Sequence, residues 1–258
     1  MEWSESAALG RHLRAFLWPL RDQGHAPPPG RMTQAATAAS KCIVKLLQSY
    51  PTRVVHSRSI SRRYRVAFTD ARGQCKGPDK ATWCQESIGG VLLSAEGTFF
   101  FVVSASLGSV AAWLPSDTVH RINEAESLGP LLLVATFASL LQDSDCLIFV
   151  DSSATEGALI KAYSSSPLLT VIAGAFWEHV GRVDAAVWIS RIPSKLNMAD
   201  ALSREDLSQA RREKWVQHKV VVPELGRWAD LLPGPRTHAA ASQKLPRKHR
   251  RQLQHEGR

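Results

Sequence analysis

From Arg65 onward, short apolar runs rich in β-branched residues alternate with longer stretches whose apolar positions recur at helical spacing, the pattern of a mixed α/β domain. Val66-Ala67-Phe68-Thr69 predicts a strand ending at Asp70, followed by a polar loop to Glu86 that contains Gly and Cys. Residues 88–94 and 98–104 flank Glu96-Gly97 and predict a hairpin. Between Val91 and Leu114 the only charged residue is Glu96, which imitates a membrane span, but the hairpin signal and the polar run Ser104, Ser106, Gly108 and Ser109 argue for strands. A helix is expected over 123–142, with Leu131, Val134, Ala135 and Ala138 spaced for burial. Cys146-Leu147-Ile148-Phe149-Val150 is a continuous apolar run ending at Asp151, as in a central strand covered on both faces. Helices over 156–163 and 167–180 follow. The second opens with Pro167 and buries Leu168, Val171, Ile172, Ala175, Phe176 and His179. A strand over 185–189, a turn at Ile192-Pro193-Ser194 and a helix over 198–204 complete the pattern.

Three successive strands can pair as a meander, and the fourth, returning by a helical crossover, can lie parallel to the first. That arrangement brings Asp70 and Asp151 to neighbouring strand ends, where α/β sheets build their sites. Before this body, residues 4–20 have helical spacing in Leu9, Leu13, Phe16 and Leu17, residues 24–30 with Pro27-Pro28-Pro29 form a linker, and residues 33–49 carry Ala36, Ile43 and Leu47 on one helical face. The expected division is a helical N-terminal segment and linker over 1–60, the α/β domain over 61–208 and a basic C-terminal extension over 209–258.

With 258 residues, 44% hydrophobic and 21% charged, the chain can bury one sizeable core and still carry loose ends. The net charge of +9 is concentrated at the end: from Arg236 to Arg258 seven Lys or Arg stand against one Glu, a net +6, leaving +3 for the rest. Such a tail cannot offset the entropy of ordering and is expected to be a solvated, disordered segment. Cys42, Cys75, Cys84 and Cys146 form no C-x-x-C pair and have no neighbouring His at ligand spacing, which argues against structural zinc and for reduced thiols in an intracellular protein, either nuclear or cytoplasmic. The N-terminus lacks a signal-peptide pattern, and no membrane partner is expected.

The chemistry lies in carboxylates that end strands or open helices: Asp70, Glu126, Asp151 and Asp200. A lone strand-end Asp is ordinarily a turn residue. Four that converge on one cleft would repel one another unless divalent cations neutralise them. Oxygen-only ligation favours Mg2+ or Mn2+ over zinc, and a pair of such ions is the standard device for in-line displacement at phosphorus. Within the cluster, Asp70 and Asp151 suit the central, bridging roles, with Glu126 and Asp200 holding one ion each. Gly129-Pro130 leaves open whether Glu126 opens the helix or precedes it, and Glu124 is then the competing ligand. Arg62, Arg63, Arg65 and Lys195 are candidates for phosphate contact against the simpler reading of a solvated face, and Trp177 and Trp188 are expected to fill the core.

Thr69-Asp70-Ala71, Ile88-Gly89-Gly90-Val91-Leu92, Ile122-Asn123-x-x-Glu126, Phe149-Val150-Asp151 and Asn197-Met198-Ala199-Asp200-Ala201-Leu202-Ser203-Arg204 together resemble the ribonuclease H domain of retroelement reverse transcriptases. Leu159 to Ser164, Phe176-Trp177 and Arg191-Ile192-Pro193-Ser194 resemble its DIRS-like class, and the resemblance spans residues 65–206. It implies a five-stranded mixed sheet flanked by helices, and Mg2+-dependent cleavage of the RNA strand of RNA–DNA hybrids, read through 2′-hydroxyls and groove shape. It further implies that Ser152, Lys195 and Asn197 contact nucleic acid and that a reverse transcriptase polymerase domain is a partner. The alternative is a catalytically decayed remnant that binds nucleic acid without cutting it. The chain contains no Y-x-D-D polymerase motif, and no His precedes Asp200 in its loop.

Overall fold

The structure, a computed structural model, describes residues 62–74, 85–104 and 122–224, together with positions 36, 37, 40, 41, 44, 110 and 113. The expected helix over 4–20, the linker, the loop containing Cys75 and Cys84, and the basic tail lie outside the described residues. Of the expected second N-terminal helix, positions 36, 37, 40, 41 and 44 are helical, and Ala36 is fully buried.

The body is one six-stranded mixed sheet flanked by helices. Its elements are β1 (Arg63–Gln74), β2 (Gln85–Ser94), β3 (Gly97–Ser104), α1 (Ile122–Thr136), α2 (Ala138–Leu141), β4 (Ser144–Val150), α3 (Ser153–Lys161), α4 (Pro167–Val183), β5 (Ala186–Arg191), a 3-10 turn (Ser194–Leu196), α5 (Asp200–Ser203), α6 (Ser208–Arg212) and β6 (Val216–Gln217). The strand order is β5-β4-β1-β2-β3-β6. As the hydrophobic pattern anticipates, β1, β2 and β3 form an antiparallel meander, and β4 returns through the helices to lie parallel to β1, with β5 parallel beside it.

The sixth strand departs from the expected five. Val216 and Gln217 pair parallel with Phe99 and Phe100 of β3, Trp215 lies edge-on to Phe100, and Val220 and Val222 pack on the main core. Residues 209–224 therefore belong to the folded body, although their polar composition resembles the tail; two backbone pairings and a few apolar anchors hold them.

α1 lies on one face of the sheet against β1 and β2, and α4 packs on α1 over the same core. The core between them is built from Ile88, Leu92, Phe101, Leu128, Leu131, Leu132, Ile148, Val171 and Phe176. A smaller cluster on the other face joins Phe68, Val91 and Phe100 to Ala199, Leu202 and Ala210 of the C-terminal turns. Two expectations are corrected here. Trp188 does not fill the core: β5 is an edge strand and leaves the residue 57% exposed. Arg65 is neither a phosphate contact nor part of a solvated face, being 2% exposed and donating to the carbonyls of Leu140 and Tyr64 and to Glu96 of the hairpin turn. Trp177 does pack inside, with its indole N–H on the Leu159 carbonyl at 2.7 Å. Cys146 is a buried free thiol whose pKa burial pushes up to about 12. Among the described residues, no helix is long and apolar enough to cross a membrane.

Candidate active site

The parallel pairing of β1 with β4 stops at Phe68 and Phe149, two residues short of Asp70 and Asp151. β1 does not end there, as its apolar run suggests. It continues to Gln74 because β2 supplies an antiparallel partner, with Gly89 opposite Asp70. The edge of β1 facing β4 is thus open from Thr69 onward, and its backbone groups need other partners. Asn197 donates its amide to the Thr69 carbonyl at 2.9 Å, and Glu126 accepts the Ala71 N–H. Asp151 follows the last residue of β4 directly and extends the register to the height of Asp70.

Glu126 comes from the helix and not from a preceding loop. α1 begins at Ile122 and carries Pro130 in its interior, where the missing N–H leaves one carbonyl without its intrahelical donor. Gly129 lets this part of α1 lie against β1: a Cβ there would sit 3.1 Å from the Thr69 Cβ. One carboxylate oxygen each from Asp70, Glu126 and Asp151 lie within 4.8 Å of one another. Glu124 is also buried but stands outside this group, so of the two glutamates Glu126 is the one brought to the cluster.

Burial dominates the electrostatics. Asp70, 5% exposed, is pushed up to about 7 by burial, against the opposing hydroxyl of Ser203, and further by the charges of Asp151 and Asp200. Glu126, 8% exposed, is pushed up to about 9 by burial first and then by the charges of Asp70 and Asp151. Its Oε2, like Oδ1 of Asp151, is buried with no donor from outside the cluster among the described residues, and the closeness of Asp151 favours the protonated forms of Asp70 and Glu126. Closely spaced carboxylates with unused, desolvated oxygens are what a hard divalent cation neutralises, and this donor set fits one.

Asp200 is placed beside the group and not in it. It opens α5, its charge acts on Asp70, and its Oδ1 accepts from Arg204 one turn later at 2.8 Å. Two serines that lie within the motifs but receive no role from them donate into the cluster: Ser203 to Oδ2 of Asp70, and Ser194 to Oδ2 of Asp151 at 2.7 Å. A signal exists for Ser203, which lies three residues after Asp200 and so on the same side of a helical turn.

Of the residues expected to touch nucleic acid, Lys195 is exposed on the 3-10 turn beside Ser194. Ser152 caps α3, accepting the Thr155 N–H at 3.3 Å. Asn197 is buried, its amide on the Thr69 carbonyl and its Oδ1 on the Ala199 N–H at 3.1 Å, so its side chain closes the open sheet edge.

No protein-family model matches the sequence, and the search of curated proteins returns no match. Among solved structures, the chain is similar to RNase H1 from the halophilic archaeon Halobacterium salinarum NRC-1, at 22% identity over 57% of this chain and 99% of that one, with a TM-score of 0.39. It is similar to the N-terminal RNase H domain of rv2228c from Mycobacterium tuberculosis, at 15% identity over 59% and 99% of the two chains, TM-score 0.39. It is also similar to a prototype foamy virus protease-reverse transcriptase, at 12% identity over 72% of this chain and 29% of that one, TM-score 0.36. Within the fold, strand pairing, the open edge of β1 and the entry of α1 together determine which carboxylates meet.

Proposed function

We propose that this chain is a divalent-metal-dependent phosphodiester hydrolase of the ribonuclease H type, of retroelement and DIRS-like origin, that cuts the RNA strand of RNA–DNA hybrids. The observation that carries the reading is the convergence of Asp70, Glu126 and Asp151 from β1, α1 and the end of β4, with Glu126 Oε2 and Asp151 Oδ1 buried and given no donor from outside the cluster among the described residues. A strand-spanning salt bridge or a capping role would have given those oxygens a protein donor. Asp70, Glu126 and Asp151 would hold the cation, Mg2+ or Mn2+, and Asp200 at the rim completes a set suited to two ions. When bound, such cations lower the pKa of an attacking water and stabilise the leaving 3′ oxygen. The chain's own part is to hold these oxygens in place, and Lys195, exposed near Asp151, suits a phosphate. A reverse transcriptase polymerase domain is the partner this activity suggests.

Cleavage of a labelled hybrid tests the reading. Wild type is expected to cut with magnesium and not with chelator, and Asp70→Asn to lose cutting by about 1,000-fold or more while hybrid affinity stays within about threefold. Failure of the wild type to cut, with hybrid binding intact, would replace the enzyme by a binding module. That second reading draws on one observation, the engagement of Asp200 with Arg204 rather than with the other three carboxylates.

A further inference from the structure

Resting on the hydrolase reading, we infer that Ser194 and Ser203 are positioning residues that orient the carboxylates of Asp151 and Asp70 toward the cation. The rotation of a carboxylate about its last bond is broad and intrinsically unrestrained, so a buried Asp fixes its oxygens only if something donates to one of them. Ser203 donates to Oδ2 of Asp70, and Ser194 donates to Oδ2 of Asp151 at 2.7 Å. For Asp151 the result is explicit: one oxygen is engaged by a hydroxyl and the other, Oδ1, is buried with no donor from outside the cluster among the described residues. Ser203 has a second acceptor in reach, the Asp200 carbonyl at 2.9 Å, but its single proton goes preferentially to the charged group.

Both serines belong to one short stretch between β5 and the end of α5, and that stretch is fastened to the sheet independently of them. Asn197 ties it to the Thr69 carbonyl, and Gly89, opposite Asp70, leaves the room for it. A Cβ on Gly89 would lie 2.7 Å from the Leu202 Cβ and 2.9 Å from the Ser203 backbone nitrogen. The hydroxyls therefore arrive at the carboxylates from a rigid mount. Donors behind metal ligands set ligand direction, and their loss ordinarily weakens binding without removing a ligand.

The test is Mn2+ uptake by the full chain, followed by the electron paramagnetic resonance of free Mn2+ and by calorimetry with Mg2+ at fixed pH. Ser203→Ala and Ser194→Ala are expected to bind about 10- to 100-fold more weakly, with a raised magnesium requirement for cleavage and unchanged hybrid affinity. Ser194→Thr, which keeps the hydroxyl at an exposed position, is expected to restore binding. Ser94→Ala, in the distant hairpin turn, is expected to leave it alone. Circular dichroism and metal-free melting identify any variant that fails to fold, and the exposed Ser194 carries the test if Ser203→Ala does. Alanine variants that fold and bind Mn2+ as tightly as wild type overturn the inference while leaving the hydrolase reading standing. A wild type that takes up no Mn2+ overturns both.

Discussion

Glu126 shows how much of a site is decided by one side chain's surroundings. Its carboxyl is almost fully buried beside two aspartates, and the Ala71 N–H donates to it. In the metal-free protein this group binds its proton to about pH 9, whereas in the unfolded chain it ionises near 4.5. Keeping it neutral against that difference costs stability at neutral pH. Glu126→Gln removes the cost and keeps the shape, so metal-free melting near neutral pH should rise, by on the order of a kcal/mol or more. The same variant should lose most of the stabilisation that magnesium confers. Thermal melts with magnesium and with chelator measure both, and a variant less stable than wild type without metal would contradict the burial argument. The residue type is legible from sequence; its attachment is not. Gly129-Pro130 leaves Glu126 and Glu124 open, because a proline's tolerance inside a helix depends on what that helix rests against, here Thr69 of β1.

At the level of elements, the apolar runs specify the strands and the crossover well because burial on one or two faces imposes its period on the chain. What they do not specify is where pairing stops. Counting apolar residues ends β1 at Asp70, yet β2 carries it on to Gln74, and the site exists because β4 does not follow. Asn197 escapes the sequence pattern for the same reason: an amide that closes an orphan carbonyl is invisible until the orphan is known. Two glycines offer a contrast that measures this packing. Gly89→Ala must displace backbone in α5 and is expected to destabilise by about 1–3 kcal/mol, with weaker metal binding because Ser203 moves with it. A methyl added to Gly157 in α3 would meet nothing within 4 Å, so Gly157→Ala is expected to stabilise by about 0.5–1 kcal/mol. Denaturant melts of the two variants should move in opposite directions, and a shift of the same sign in both would contradict the packing described here.

Across the whole molecule, the acidic cluster couples stability to pH and to metal. Asp70 and Glu126 have folded pKa values of about 7 and about 9, above their ordinary values of 3.8 and 4.5. The folded state therefore holds more protons than the unfolded state between those limits, and stability must fall as pH rises. Without metal, this contribution is fully present below about pH 4 and is lost progressively as pH passes through about 7 and then about 9. A divalent cation binds the ionised form and competes with those same protons. Magnesium should therefore raise the melting temperature little in acid and substantially at alkaline pH, by an amount equivalent to about 2.7 kcal/mol when it exceeds its dissociation constant by a hundredfold. Asp70→Asn should remove the loss of stability centred near pH 7, leave the one due to Glu126 near pH 9, and weaken the effect of magnesium. Melting curves across this range, with chelator and with magnesium, decide the matter: a metal effect independent of pH would mean that the cation binds elsewhere, because only a site whose ligands must first give up protons ties the two together.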